Sequence, residues 1–231
     1  TLCSQEGSYL TSMIGYGWRL DRRNHPVNAT RGYYVSVNQD LAGIGGDVNY
    51  LKTEADGAWY HGFNKDFILS VSGQAGYVAG WADDTIRVTD RFYKGGQSFR
   101  GFETAGIGPR DLTQENALGG NAYAIGSVEL TIPTFLPEQY GIKAALFSDF
   151  GTVGVLDDAF KLCPANSTDA SCPPGAVNPN VRDDLSLRAS AGLSIFWRSP
   201  MGPIRFDFSQ VLAKEEYDKT ETFKFSTSTR F

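Results

Sequence analysis

Apolar and polar residues alternate along much of the chain. The clearest stretch runs from residue 67 to residue 81, where Ser, Gln and Gly fill most of the positions between apolar residues. Because successive side chains of a β-strand point to opposite faces, this period of two predicts a strand with one apolar and one polar face. The apolar row consists of Phe67, Leu69, Val71, Ala75, Tyr77, Ala79 and Trp81.

The same period recurs in other segments, and together they predict about nine antiparallel strands. The other segments are residues 9–21, 33–38, 48–61, 121–132, 142–151, 187–198, 204–209 and 223–231. Short connections alternate with longer ones at residues 82–120, 154–184 and 213–220, as in outer-membrane barrels with short periplasmic turns and long external loops. No helical period persists over a useful length, so the pattern predicts an all-β fold.

Composition agrees with β structure and leaves a membrane location open. Aromatic residues make up 13% of the 231 residues, and there are 26 Gly but only 2 Met. No stretch approaches the roughly 20 apolar residues of a membrane-spanning helix. The mean hydropathy of -0.27 does not exclude a membrane barrel, because barrel strands are polar at alternate positions. A net charge of -5 gives no sign of nucleic-acid binding, which normally needs a basic surface.

The candidate functional residues centre on one arginine. Arg100 lies between glycines and aromatic residues in the long connection 82–120, and an arginine in this setting needs a carboxylate partner. The period of two places Glu129 and Asp149 on the polar faces of their strands, so both can converge on Arg100, and Phe147 can stack on its guanidinium group. The loop motif around Arg100 consists of Gly95, Gly96, Phe99, Gly101 and Phe102.

This loop, the strand that carries Glu129 and the Ser-Asp-Phe-Gly stretch at 148–151 together resemble the BamA family of β-barrel insertases of bacterial outer membranes. The resemblance extends through residues 118–121, residues 198–205 and the terminal Phe231, and it covers nearly the whole chain. It implies that residues 1–231 are one partial barrel domain, the C-terminal part of a 16-stranded transmembrane barrel. The missing strands and the periplasmic repeat domains of the family would then precede residue 1.

The resemblance also implies a function. Members of this family insert nascent outer-membrane proteins into the lipid bilayer of the outer membrane, together with accessory lipoproteins. Their long loop folds back into the lumen, which would bring Arg100 to Glu129 and Asp149, and we expect this network mainly to hold the loop in place. The terminal strand, with Phe223, Phe225 and Phe231, would form one side of a lateral seam.

The cysteines predict one local disulfide bond and no metal site. Cys163 and Cys172 flank a short loop, which leaves Cys3 without a partner. His25 and His61 lie far from this pair, so zinc is a poor interpretation. No activated nucleophile and no phosphate-binding loop is present, so we expect no catalytic residue, no cofactor and no enzyme activity.

Other functions remain open at this level. A related translocation-and-assembly barrel or a two-partner secretion transporter would share the loop, although residues 118–121 and 199–205 favour the BamA family. A passive porin-like channel is an alternative of another class. A soluble β-sandwich binding module also has alternating strands, but apolar rows with Trp18, Trp81 and Trp197 near strand ends fit the aromatic girdles of a bilayer better.

Overall fold

The architecture is almost entirely β. A computed structural model describes residues 7–64, 66–82, 84–134, 136–137, 140–163, 172–199 and 202–227. Its elements, in chain order, are β1 (Met13–Asp21), β2 (Arg31–Ala42), β3 (Tyr50–Gly62), β4 (Ile68–Gly80), β5 (Arg110–Asp111), β6 (Asn116–Ala117), β7 (Ala122–Ile132), β8 (Ile142–Gly154), α1 (Asp158–Lys161), β9 (Val181–Arg182), β10 (Arg188–Ser199), β11 (Gly202–Ala213) and β12 (Phe223–Thr227). A short 3₁₀ turn at Val88–Asp90 precedes β5.

Nine of these strands form one antiparallel sheet, as the periodicity predicted. Its order is β1-β2-β3-β4-β7-β8-β10-β11-β12, so each long strand pairs with its neighbour in the chain. β3 and β4 pair along their full length of 13 residues, whereas the described part of β12 pairs with β11 through five residues. β5, β6 and β9 form a separate three-stranded sheet that the periodicity did not predict, because each has only two residues.

The strand boundaries differ slightly from the predicted ones. β1 begins at Met13 rather than at residue 9, although Asp47 N still donates a hydrogen bond to Leu10 O at 2.8 Å. The long connections run over residues 81–121, 155–187 and 214–222. They leave one end of the sheet together, and the short connections between β3 and β4, β7 and β8, and β10 and β11 leave the other end.

The predicted two faces are present. In β8, Ala145, Phe147 and Asp149 are buried, whereas Leu146 and Phe150 between them are 50% and 43% exposed. Following the barrel interpretation, we call the first face the lumenal face and the second the membrane face. The alternation therefore places Asp149 inside and the large apolar side chains outside, where a bilayer would surround them.

Part of the lumenal face is apolar and buried, although the polar residues of its strands suggested a face in contact with water. The connection 81–121 folds over it, and its apolar side chains pack on apolar lumenal residues near the long-loop end. This core consists of Ile86, Phe92, Phe99, Phe102 and Ile107 from the connection, together with Ala42, Val48, Tyr50, Val78, Tyr123, Ile125 and Val153. A polar cavity of about 350 Å³ remains nearer the short turns, lined by residues that include Ser70, Gln74 and Lys143.

The long connections also pack on each other beyond the sheet. Leu118 from one and Leu156 and Phe160 from the next form a small second core. Arg91 is buried beside it, with its guanidinium carbon 3.8 Å from the centre of the Phe160 ring. Within the described part of the chain, none of the helices is both long enough and apolar enough to cross a membrane.

Candidate functional site

The Arg100 loop reaches the lumenal wall because two glycines allow its sharp turns. Gly96 has a φ of +62° and Gly101 a φ of +91°, a region that side chains with a Cβ atom rarely adopt. A Cβ atom at Gly101 would also lie 3.0 Å from the Ser190 Cβ atom on β10. The hydroxyl of Ser190 donates a hydrogen bond to Arg100 O at 2.5 Å, so the backbone itself is fixed against the wall.

Asp149 is the main partner of Arg100. Arg100 Nε donates to Asp149 Oδ2 at 2.7 Å, and Arg100 Nη2 donates to Asp149 Oδ1 at 2.6 Å. The backbone N of Arg100 donates to the same carboxylate at 3.0 Å. Two parallel bonds from one guanidinium group form the strong bidentate geometry of an arginine–carboxylate pair, which fixes orientation as well as distance.

Glu129 and two serines complete the partners of the guanidinium group. Arg100 Nη1 donates to Glu129 Oε2 at 2.6 Å and to Ser194 Oγ at 3.3 Å. Arg100 Nη2 donates to Ser127 Oγ at 2.8 Å, and the Ser127 hydroxyl donates to Asp149 Oδ1 at 2.6 Å. The two carboxylates that the sequence assigned to Arg100 are thus both in contact with it.

The network is largely buried, at the wall of the polar cavity described above. The side chains of Arg100 and Asp149 are 8% and 4% exposed, and that of Glu129 is 22% exposed. Phe147 lies under the guanidinium group, with its ring centre 3.6 Å from the Arg100 Cζ atom. A planar cation stacked on an aromatic ring keeps its edge free for carboxylates, which is the arrangement expected from the sequence.

A second arginine extends the network along β11. Arg205 Nε donates to both oxygens of Asp207 at 2.8 and 2.9 Å, and Arg205 Nη2 lies 3.5 Å from Glu129 Oε2. Ser194 donates a short hydrogen bond to Asp207 and accepts one from Arg205 at 3.0 Å. No local sequence signal distinguishes Arg205, Asp207, Ser127 or Ser194, although all four lie on polar rows of their strands.

The rest of the loop is joined to the connection that leads into β12. Glu103 N donates to Lys219 O at 3.0 Å, and Lys219 N donates to Gly106 O at 2.9 Å. Glu221 N donates to Gly101 O at 3.0 Å. The residue next to Arg100 is therefore hydrogen-bonded to a residue two positions before β12 begins.

A further buried ion pair, also missed from the sequence, fixes the same connection to β10. Arg188 Nε lies 3.0 Å from Asp218 Oδ2, and both side chains are 0% exposed. Arg188 Nη2 donates to the Tyr217 hydroxyl at 3.2 Å. Burial raises the pKa of the Tyr217 phenol to about 12, so it stays protonated and donates to Asp184 at 3.3 Å. The partners lie 30 residues apart in the chain, and the strand pattern gives no signal for the pairing.

The other assigned residues lie outside this network. Phe223 and Phe225 are 46% and 54% exposed on the membrane face of β12. Cys163 and Cys172 form a disulfide bond with their Cα atoms 5.5 Å apart. Phe231 and Cys3 lie outside the described residues.

The chemistry of this site is that of a structural clamp. Every described carboxylate in it is bonded to an arginine or a serine, and no cluster of His, Cys, Asp and Glu that could hold a metal ion occurs in the described ranges. The Arg100 side chain donates five hydrogen bonds to four side chains from three strands. One of them, from Nη1 to Ser194, is 3.3 Å long, and the other four are 2.8 Å or shorter.

The family model and the related sequences point to the same protein family. The sequence matches the Omp85 superfamily domain over residues 1–231. It is 31% identical over 229 residues to "Outer membrane protein assembly factor BamA" of Neorickettsia risticii, covering 99% of this chain and 28% of the relative. It is 28% identical over 226 residues to the protein of the same name from Neisseria meningitidis, covering 93% of this chain and 28% of the relative. The chain thus spans less than a third of the length of these relatives.

A solved structure agrees with the sequence matches. The crystal structure of BamA from Haemophilus ducreyi lacking POTRA domains 1-3 superimposes with a TM-score of 0.76 at 25% identity, covering 92% of this chain and 41% of that one. The nine-stranded sheet and its covering loop therefore have the fold of part of that protein. The chain belongs to the Omp85 superfamily and forms part of an outer-membrane β-barrel.

Proposed function

We propose that this chain is part of an assembly factor that folds nascent β-barrel proteins and inserts them into the bacterial outer membrane. The names of its BamA relatives describe an outer-membrane protein assembly factor, and the family match supports the same activity for the whole protein to which this chain belongs. The process needs no covalent step, nucleotide or metal ion. The energy comes from the hydrogen bonding and burial that the substrate strands gain in the bilayer.

One observation favours assembly over passive transport: the lumenal face is covered by a loop that is fixed to the wall. Phe99 and Phe102 on either side of Arg100 are 0% exposed, and Arg100 itself is held by two carboxylates. A passive porin needs an open aqueous lumen for steady flux. A loop fixed in this way fills the space that such a channel would use.

The loop also has a mechanical role in this proposal. Its backbone is bonded at Gly101 and Glu103 to the connection that leads into β12, so the clamp at Arg100 positions the start of that strand. β12 is the outermost strand on its side of the sheet. An edge strand of this kind can offer its backbone to an incoming strand by β-augmentation, which is how we propose that nascent barrels are templated.

The remaining parts of the proposal follow from the family. Strands that precede residue 1 would complete a 16-stranded barrel, and periplasmic repeat domains would receive the substrates. Nascent outer-membrane proteins are the substrates, accessory lipoproteins are the partners, and the surrounding bilayer is the medium. The exposed apolar side chains of the membrane face, such as Leu146 and Phe150, supply the surface for lipid contact.

The test is Arg100→Ala in the intact protein, reconstituted into lipid vesicles with an unfolded β-barrel substrate. Loss of the clamp should release the loop, so the yield of folded, heat-modifiable substrate should fall several-fold and the loop should become sensitive to protease. Arg19→Ala is the matched control, because Arg19 is also on the lumenal face but is exposed. Its assembly yield should equal that of the wild type.

Three results would contradict the proposal. Normal assembly and unchanged protease resistance in Arg100→Ala would remove the assigned role of the clamp. Steady ion flux through the wild-type protein without any assembly activity would instead support a passive channel. Export of a soluble substrate in place of membrane insertion would support a two-partner secretion transporter.

A further inference from the structure

Two arginines lie on the membrane face at the short-turn end of the sheet. Arg31 begins β2, and Arg22 follows the last residue of β1. Both side chains are exposed. Within the part of the chain that the structure describes, neither guanidinium group has an ion-pair or hydrogen-bond partner.

The strand register places both arginines on the membrane face. Val35 pairs with Leu20 on this face, and Arg22 N continues the ladder by donating to Tyr33 O at 2.8 Å. Arg31 comes two residues before Tyr33 in β2, so it lies on the same face. It is paired with His61 of β3. Arg22 and Arg31 are thus diagonal neighbours, a separation of roughly 7–8 Å between backbones that long side chains span easily.

Aromatic side chains lie next to them at the same level. The rings of His61 and Trp59 stack with their centres 5.5 Å apart, and Phe63 packs edge-on against His61 at 4.9 Å. Trp59 is 45% exposed and pairs with Tyr33, which is 39% exposed. Tyr and Trp rings gather at the membrane–water interface, where one side of the ring meets lipid and the other meets headgroups.

The lumenal face at the same end shows the opposite arrangement. Arg23 Nη2 and Arg19 Nη2 lie 2.6 and 3.2 Å from Asp21 Oδ2, and both guanidinium groups lie over the Tyr34 ring at 4.7 and 4.9 Å. The protein therefore supplies an anion for the arginines on the inside. Among the residues that the structure describes, it supplies none for Arg22 and Arg31 on the outside.

We propose that Arg22 and Arg31 bind the phosphate group of a glycerophospholipid in the leaflet that meets the short-turn end of the barrel. Charge complementarity selects this occupant, because the phosphodiester is the anion that a bilayer presents at the level of the aromatic girdle. Arginine donates in a fork that matches phosphate oxygens, and its apolar stem can lie along the acyl region. Tyr33 lies beside both cations, opposite Arg22 across the strand pair and two residues from Arg31 in β2. The inference rests on the outer-membrane location and is independent of the assembly activity.

The experiment compares lipid selectivity in four forms of the intact protein reconstituted in phosphatidylcholine vesicles. They are the wild type, R22Q/R31Q, R22K/R31K and the lumenal control R19Q/R23Q. Electron paramagnetic resonance of spin-labelled phosphatidylglycerol and spin-labelled phosphatidylcholine measures the fraction of each lipid that is held at the protein surface. Heat-modifiable gel mobility first establishes that each variant is folded.

The wild type should prefer phosphatidylglycerol, whose net charge is not cancelled by a choline group. R22Q/R31Q should lose about thirtyfold in relative association for this lipid, since each basic residue near an anionic surface strengthens association by about fivefold. R22K/R31K should keep most of the preference, and R19Q/R23Q should keep all of it. Equal selectivity in the wild type and R22Q/R31Q would overturn the proposal, as would an equal loss in R19Q/R23Q.

Discussion

The lumenal wall carries two arginine–aspartate clusters that are built from the same kinds of side chain. In one, Arg23 lies 2.6 Å from Asp21 and over the Tyr34 ring. In the other, Arg100 lies 2.6 Å from Asp149 and over the Phe147 ring. The contacts have the same length, but the Asp21 side chain is 33% exposed and the Asp149 side chain is 4% exposed.

The difference lies in what covers each cluster. Asp21 is at the short-turn end of β1, where water reaches its carboxylate and competes with the ion pair, although the Arg23 side chain is only 10% exposed. Asp149 is in the middle of β8, under a loop that brings the arginine to it and buries both side chains. A short contact distance therefore does not indicate how much an ion pair stabilises the fold. When one partner is removed, the loss of stability depends on how deeply the remaining charge is buried.

Asp149→Ala should have the largest effect. It removes the acceptor of three hydrogen bonds from Arg100 and one from Ser127, and it leaves a guanidinium group buried beside Glu129 alone. Breaking a buried pair in this way costs about 3–5 kcal/mol. Urea unfolding of the intact protein in lipid vesicles, followed by tryptophan fluorescence, measures the change in free energy.

The double variant R100M/D149L controls for this prediction. Removing both charges leaves neither partner unpaired, so much of the lost stability should return, whereas the loop should stay protease-sensitive because its specific bonds are gone. If Asp149→Ala unfolds at the urea concentration of the wild type, the buried cluster does not stabilise the barrel.

Asp218→Leu should have the next largest effect and extends the comparison to a third pair. Arg188 and Asp218 are both 0% exposed, but Arg188 would keep its bonds to the carbonyl oxygens of Asp184 and Ser186. We therefore expect a loss of about 3 kcal/mol or less, together with faster hydrogen exchange in the connection 214–222. Hydrogen-exchange mass spectrometry measures this local opening, and unchanged exchange there would show that the pair does not hold the connection.

The fold and four residues of the clamp (Arg100, Glu129, Phe147 and Asp149) could be predicted from the sequence for a physical reason. A period of two fixes the face of every strand residue, so Glu129, Phe147 and Asp149 had to lie on one side of the sheet. Arg100 could be joined to them because a single arginine in a glycine-rich loop, together with the family resemblance, pointed to the lumen. Membrane-facing Phe223 and Phe225 follow from the same rule.

The remaining residues of the site depend on tertiary packing that no local sequence pattern encodes. In the sequence, Ser127, Ser194 and Arg205 cannot be distinguished from other polar residues of the lumenal face. Which of these residues become buried depends on where the loop packs. Apolar residues on the lumenal face, such as Ile125, are buried only because Phe99 and Phe102 arrive from a distant connection. The two-residue strands β5, β6 and β9 are too short for any period to appear.

Asp21→Ala should have the smallest effect and completes the comparison. Arg19 and Arg23 would lose a carboxylate that water already reaches. Arg19 is 54% exposed and can turn to water, and the Tyr34 ring remains beneath both guanidinium groups. The urea midpoint of Asp21→Ala should match that of the wild type within error, and assembly of a test substrate should be unchanged. A loss of stability comparable to that of Asp149→Ala would mean that an additional element covers Asp21 in the intact barrel. Breaking a short ion pair is costly only when the partner that remains is buried.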